Sequence, residues 1–290
     1  MKVKVYAKLN LTLNVGERKG AFHPIDSVAT SVDICDVVEV VRRNDVQINV
    51  QGIQQVEVEQ NTAYKAAEAF RRVFAGRASQ TVSGVDISIR KGIPFGGGLG
   101  GSSADAAAVV YCMCKLFGVD ICSDEVRDLC SSIGSDVNFM LFGGLGRLQG
   151  KGDKVTRNIM LKPLYFAMTT FDNAMSSASV YSAFDSVANA KPLADNSAVL
   201  DMLESGNNAQ AIPLFSNHLQ QATASIDGYA DSYLALVSSR QLACNMTGSG
   251  SAYYVACVTQ EDAEEVSRLL NAHGFSTTVC KSMPLGIVEL

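Results

Sequence analysis

The sequence predicts an α+β protein of two lobes that meet near residues 150–160. Three observations carry this. The first fifteen residues alternate apolar and polar, as a long strand does. Strand patterns crowd the first half, while the stretch from about Ser176 to Gln241 reads as mostly helical. The chain then ends as strand, helix and strand, the pattern of a small α/β sandwich.

The elements follow in order. Val3, Val5, Ala7, Leu9, Leu11, Leu13 and Val15 share one face of the first strand. Lys4, Tyr6, Lys8, Asn10, Thr12 and Asn14 share the other, which is expected to point away from the core. Further strands are expected at 25–41, 46–51 and 55–59. Asn61 is placed to cap a helix, TAYKAAEAFRRVF. Val85, Ile87 and Ile89 alternate with Asp86, Ser88 and Arg90, as in a half-exposed strand. Helices are expected over 102–117 and 123–132, the second capped by Ser123, with a short one starting near Ser135. Strands near 144–159 and 164–170 close the first half. The boundary divides the chain into an N-terminal part, 1–155, and a C-terminal part, 156–290.

Composition narrows the function classes. The chain has 290 residues, 47% hydrophobic and 18% charged, ordinary for a globular protein with a large core. No apolar run approaches the ~20 residues that span a bilayer. The N-terminus lacks the apolar core of a signal peptide, so a cytoplasmic protein is expected. Net charge is −5, and no basic run exceeds Arg42–Arg43 or Arg71–Arg72. Neither nucleic acid nor a membrane is an expected partner. Eight cysteines form no CxxC pair and have no histidine at zinc spacing, so buried reduced thiols are expected. A bound anion therefore needs a local device.

That device is Pro94 to Ala108, PFGGGLGGSSADAAA. Glycines allow positive φ and close approach to a ligand, and the helix behind them offers unpaired N–H groups and a positive dipole end. Together they make an anion site. Gly96, Gly98 and Gly101 satisfy G-x-G-x-x-G, but the preceding strand is half-exposed, whereas dinucleotide folds bury theirs on both faces. A Walker A loop is absent: Lys151 follows Gly150, but Leu145 stands where its first glycine belongs.

The pattern P-x-G-x-G-L-G-G-S-S-A resembles the signature of the GHMP kinases. Their other two motifs are matched by Ala7-Lys8-Leu9-Asn10-Leu11 and by Met246-Thr247-Gly248-Ser249-Gly250-Ser251-Ala252, in the family's order. With RKGAFHPIDSV and GSDVNFML, the chain looks most like the 4-diphosphocytidyl-2-C-methyl-D-erythritol kinases. The resemblance implies the GHMP kinase fold. Its N-terminal lobe is like ribosomal protein S5 domain 2, its C-terminal lobe is a ferredoxin-like sandwich, and the site lies between them. It also implies ATP- and Mg²⁺-dependent phosphorylation of the tertiary C2 hydroxyl of the cytidyl substrate in the non-mevalonate isoprenoid pathway.

Residue by residue, the resemblance implies the following. Pro94, Phe95, Gly96, Gly97, Gly98, Leu99, Gly100, Gly101, Ser102, Ser103 and Ala104 hold ATP, with Ser103 toward Mg²⁺. Asp136 is the base and Lys8 its partner. An Asp–Lys pair keeps the carboxylate ionised and stabilises charge on the reacting oxygens. Phe22 and Tyr181 sandwich the base and His23 reads its edge, Asn10 lines the acceptor pocket, and the turn Thr247–Gly250, with Thr247 and Gly248, lays backbone N–H groups beside the substrate's diphosphate or the transferred phosphoryl group. The chain departs from the family's R-x-D-G-Y-H at Gly20, Ala21 and Phe22, and follows His23 with Pro24. Asn138 stands where that family carries proline. Two other readings remain open here. One is a related kinase acting on mevalonate, homoserine or a sugar; the other is a silent binding protein on the same fold. The expected assembly is a monomer or homodimer.

Overall fold

The computed structural model describes residues 1–52, 57–76, 82–173, 175–186, 194–226 and 228–290. The N-terminal half runs β1 (Lys2–Val15), β2 (Ile25–Arg42), β3 (Ile48–Gln51), α1 (Thr62–Phe74), β4 (Val85–Arg90), α2 (Gly101–Phe117), α3 (Asp124–Ile133) and α4 (Val137–Phe142). The hairpin β5 (Leu145–Gly150) and β6 (Lys154–Asn158) and the strand β7 (Tyr165–Thr169) follow. The helical stretch holds α5 (Ser177–Phe184), α6 (Asn196–Glu204), α7 (Asn208–Ala211), a two-residue β8 (Ser216–Asn217), α8 (Leu219–Ile226) and α9 (Asp231–Ser239). The chain ends β9 (Cys244–Met246), β10 (Tyr253–Cys257), α10 (Gln260–Ala272), β11 (Thr277–Met283) and β12 (Ile287–Glu289). The expected strand at 55–59 lies partly outside the described residues, and its described end is a 3-10 turn, Val58–Gln60. Asn61 and Ser123 cap their helices as expected, accepting from the N–H groups of Ala63 and Val126.

The spine of the sheet runs β12-β1-β2-β11-β7-β10-β9. β11 joins its two sides. Thr277–Lys281 pairs with β7, and Ser282–Met283 pairs with β2. The long antiparallel β1–β2 ladder carries two register shifts, at Tyr6/Ala7 and Asn10/Thr12, which bracket Ala7–Asn10. Such irregularities bend a strand and re-aim its side chains. Accordingly Val3 to Leu11 feed one apolar cluster with α1, α2 and β4, while Leu13 and Val15 feed a second with α5, α9 and β10.

The polar face of β1 corrects the sequence reading. Every residue from Val5 to Val15 is buried, Lys8, Asn10, Thr12 and Asn14 included. C-terminal segments lie on that face and meet its polar groups. Thr12 Oγ1 donates to Asn196 Oδ1 at 2.6 Å, and Asn14 Nδ2 donates to the Ala194 carbonyl at 2.9 Å. A polar side chain with a partner is as burial-tolerant as an apolar one, so alternation alone does not reveal solvent.

The eight cysteines are free thiols. Burial pushes Cys112, Cys114 and Cys130 up to about 12. Cys122 is exposed, against expectation, because it lies in the turn before α3. Among the described residues no helix is long and apolar enough to cross a membrane.

Candidate active site

The three glycine- and lysine-bearing motifs meet in backbone hydrogen bonds. The Lys8 N–H donates to the Leu99 carbonyl at 3.0 Å. From the third motif, Ser251 N–H and Ala252 N–H donate to the Gly96 and Gly97 carbonyls at 3.2 and 3.3 Å. The glycine loop thus spends carbonyls on the scaffold. None of the backbone N–H groups from Gly97 to Ser103 meets an acceptor among the described residues. They run into the N-terminus of α2, a five-turn helix, whose cap Gly100 supplies no side chain. Unpaired N–H groups at a long helix's positive end form an anion cradle. Two glycines are obligatory by contact as well as by φ. A Cβ on Gly98, at φ 73°, would strike the Thr247 carbonyl oxygen. One on Gly100, at φ 72°, would strike Met140 and stand 3.7 Å from Asp136 Oδ2.

That last distance places the cradle beside a buried ion pair. Lys8 Nζ is 2.7 Å from Asp136 Oδ2. The lysine side chain is 6% exposed and the carboxylate 27%. Asp136 occupies the cap position of α4 but makes no capping bond. Its carboxylate is therefore free of the ordinary structural duty of a cap and turns to Lys8 and the cavity. Asn138, where the family carries proline, is buried and donates to Ser131 Oγ at 2.7 Å and the Arg127 carbonyl at 3.2 Å, tying α4 to α3.

One cavity of about 1320 Å³ takes in Lys8, Asn10, Phe22, His23, Asp136, Tyr181, Gly248 and the loop from Pro94 to Ser103. Single-ligand pockets are typically ~300–1,000 Å³, so this one suits two substrates. Two expected site residues do not line it. Ala104 is buried inside α2. Thr247 is a clasp: its Oγ1 accepts from Asn10 N–H at 3.1 Å and lies 3.5 Å from the Gly98 carbonyl oxygen. Phe95 stands 72% exposed at the rim.

The aromatic side of the cavity is organised around His23. Its ring stacks on Tyr181, centroids 5.6 Å apart and 28° from parallel. His23 Nδ1 lies 2.9 Å from the Gly16 carbonyl oxygen, and Nε2 lies 2.9 Å from Asp185 Oδ1, close but not aligned for a hydrogen bond. The same Asp185 pairs with Arg18 at 2.8 Å. Burial, and then the Asp136 charge, push the Tyr181 phenol up to about 12, so it stays neutral. Phe22 lines the cavity and has no aromatic ring partner among the described residues. Asn10 Nδ2 donates to Ser27 Oγ at 2.8 Å, while its buried Oδ1 has no partner in the protein.

A second ion cluster sits behind the glycine loop and escaped the sequence reading. Lys91 Nζ bridges Asp36 Oδ2 at 2.5 Å and Asp105 Oδ2 at 2.8 Å. Asp36 Oδ1 takes the N–H groups of Gly92 and Ile93, fixing the strand exit into the loop. Burial pushes the Asp105 carboxyl up, against the pull of Lys91. Nothing in the local sequence joins positions 36, 91 and 105: the β2–β4 pairing brings 36 and 91 together, and the packing of α2 against β2 adds 105. Arg18, Asp185 and Lys151 also line the cavity and were missed, since each stands alone in a loop or at an element's end.

No cluster of three metal-ligating side chains occurs among the described residues. A divalent ion fits here only on phosphate oxygens, with a hydroxyl in support. Ser103 lines the cavity, and its Oγ is 3.7 Å from the Cβ position of Gly134, two residues before Asp136. Ser102 is exposed and its carbonyl accepts from Thr62 Oγ1 at 2.7 Å.

Comparison with known proteins agrees with this geometry. The family described as GHMP kinases N terminal domain matches residues 61–144. The 4-diphosphocytidyl-2-C-methyl-D-erythritol kinase of Caldanaerobacter subterraneus subsp. tengcongensis is 31% identical over 257 residues, 88% of this chain and 87% of that one. The protein of the same name from Mycobacterium tuberculosis is 32% identical over 286 residues, 96% and 88% of the two chains. A crystal structure of 4-(cytidine 5'-diphospho)-2C-methyl-D-erythritol kinase superposes at TM-score 0.79, with 24% identity and 99% of each chain covered. Homoserine kinase from Cytophaga hutchinsonii superposes at 0.73, with 16% identity over 99% and 97%. The fold is thus the α+β fold of the GHMP kinases, and the chain belongs to the 4-diphosphocytidyl-2-C-methyl-D-erythritol kinase family.

Proposed function

We propose that this protein transfers the γ-phosphoryl group of ATP to the C2 hydroxyl of 4-diphosphocytidyl-2-C-methyl-D-erythritol, a step in non-mevalonate isoprenoid precursor synthesis. The observation that carries this is the Lys8–Asp136 pair at 2.7 Å, standing between an anion cradle and an aromatic wall in one cavity. Residues Pro94–Ser103 receive the triphosphate, their free N–H groups facing its oxygens. The acceptor lies along Asn10, Phe22, His23, Tyr181 and Gly248. Its hydroxyl oxygen attacks the γ-phosphorus, the bond to the β,γ-bridging oxygen breaks, and ADP leaves. The hydroxyl proton passes to Asp136, and Lys8 keeps that carboxylate ionised and faces the charge on the reacting oxygens.

Ser103 and the nucleotide phosphates would hold Mg²⁺, which neutralises phosphate charge when bound. Ala104 and Thr247 act through the backbone they hold. Residues 1–155 supply the donor side and 156–290 complete the acceptor side. The substrates are phosphorylated nucleotides, which cells keep in the cytoplasm, and we place the protein there as a monomer or homodimer. The test is an ADP-release assay with the cytidyl substrate beside mevalonate, homoserine and galactose. Product from the first is expected. Product from another alone overturns the acceptor assignment, and full turnover by Asp136→Asn overturns the base.

A further inference from the structure

Five cationic side chains face the cavity: Lys8, Arg18, Arg90, Lys91 and Lys151. Three are committed. Lys8 pairs with Asp136, Arg18 with Asp185, and Lys91 with Asp36 and Asp105. Arg90 ends β4, on the side where the chain enters the glycine loop. Lys151 lies on the opposite, acceptor side. Among the described residues it meets no carboxylate at ion-pair distance. Its Nζ sits instead 4.8 Å from the centroid of the Phe22 ring.

The local backbone explains why Lys151 stays there. It occupies the β5–β6 turn, whose Gly152 N–H donates to the Gln149 carbonyl at 3.0 Å. The Lys151 N–H donates to Asp153 Oδ1, also at 3.0 Å. The turn abuts the catalytic loop: the Cβ position of Gly152 is 3.5 Å from Ser135 Cβ and 3.9 Å from Asp136 Oδ1. An ammonium on an aromatic face is held by the ring quadrupole while its remaining N–H groups stay available. The Lys8–Asp136 pair cancels its own charge, so it offers a diphosphate little net attraction. A diphosphate diester brings two negative charges to this side of the cavity.

We propose that Lys151 is a specificity-determining residue: seated on Phe22, it grips the diphosphate of the acceptor and selects acceptors that carry one. This rests on the reading of the reaction given above. It makes Phe22 two-sided, one face for the lysine and the other for the base. It also separates this site from those of kinases whose acceptors are carboxylates or neutral sugars.

The test uses the full protein, with CDP and cytidine as probes in titration calorimetry and the cytidyl substrate in steady-state kinetics. In Lys151→Gln the KM for the acceptor and the Kd for CDP are expected to rise about five- to twentyfold, as for loss of one partly exposed charged hydrogen bond. The Kd for cytidine and the KM for ATP stay within twofold. Lys151→Arg recovers most of the loss. The gap between wild type and Lys151→Gln narrows at about 0.5 M salt, where charge is screened. Equal CDP affinity in wild type and Lys151→Gln overturns the inference alone. So does an equal loss for CDP and cytidine, which would make Lys151 only a prop for Phe22. A wild type that binds neither CDP nor cytidine overturns the reading of the reaction and this inference with it.

Discussion

Removing either partner of the Lys8–Asp136 pair is expected to slow turnover steeply, but only one removal is expected to harm the fold. At 2.7 Å and an effective dielectric of ~20, the bare attraction is about 6 kcal/mol, most of it offset by the cost of taking both charges from water. The burial is lopsided, 6% exposed for the lysine and 27% for the carboxylate. Asp136→Asn leaves an ammonium buried without its counter-charge. Full burial of an orphaned charge costs about 3–5 kcal/mol; the open cavity beside it cuts this to about 2 kcal/mol. For a chain of this length that is a fall of about 3 °C in Tm. Lys8→Met puts an apolar side chain into a buried position and leaves Asp136 to cavity water, at a cost of about 0–1 kcal/mol. Both variants are expected to lose ~10²–10⁴ in kcat. Calorimetry on the ligand-free proteins, beside an ADP-release assay, reads both quantities. If Lys8→Met melts lower than Asp136→Asn, or the two match wild type, the pair is not held as described. If either keeps more than a tenth of wild-type kcat, its catalytic role falls.

Other substitutions follow from the same geometry. Gly98→Ala forces a methyl onto the Thr247 carbonyl and should cost about 2–4 kcal/mol, with the KM for ATP rising more than that for the acceptor; an unchanged Tm refutes the close approach. Tyr181→Ala should raise the acceptor KM by roughly 5- to 160-fold, as expected for losing about 1–3 kcal/mol of base stacking, and leave the KM for ATP within twofold. Burial pushes the Asp105 carboxyl up to about 7 in the folded chain, against the opposing pull of Lys91. The folded state therefore holds a proton that the unfolded chain has released between pH ~4 and ~7, so this contribution is complete at low pH and is lost as pH rises to about 7. Tm of wild type should fall relative to Asp105→Asn over that range; parallel pH curves refute it.

The donor half of the site was legible because its signals are local. Gly98 and Gly100 take positive φ, which the glycine-rich run itself announces, although the contacts that exclude a side chain there come from Thr247 and Met140, and Asn61 and Ser123 cap the helices that follow them. Lys8 and Asp136, 128 positions apart, were joined only through resemblance, since no local pattern links a strand lysine to a helix-cap aspartate. Long-range electrostatics stayed hidden for the same reason. Asp36, Lys91 and Asp105 look like three separate surface charges until β4 is paired with β2 and α2 is laid against them. The polar face of β1 misled in the opposite direction, because burial with partners and exposure to water leave the same alternation. His23 sits on the expected wall, but its neighbours Gly16 and Asp185 come from the strand end before it and the far end of α5.

The three-way weave of Lys8 with Leu99, and of Gly96 and Gly97 with Ser251 and Ala252, also sets a clock. At translation rates of ~5–20 residues per second, Lys8 waits roughly 10–50 s before Ala252 is made. Until then the nascent chain carries a glycine loop with no third motif against it and a β1 polar face with nothing over it. Such long-range closure is slow to form and leaves unpaired strand surface exposed meanwhile. Substitutions in the Thr247–Ala252 turn should therefore appear first as poor yield of folded protein, and only afterwards as poor kinetics.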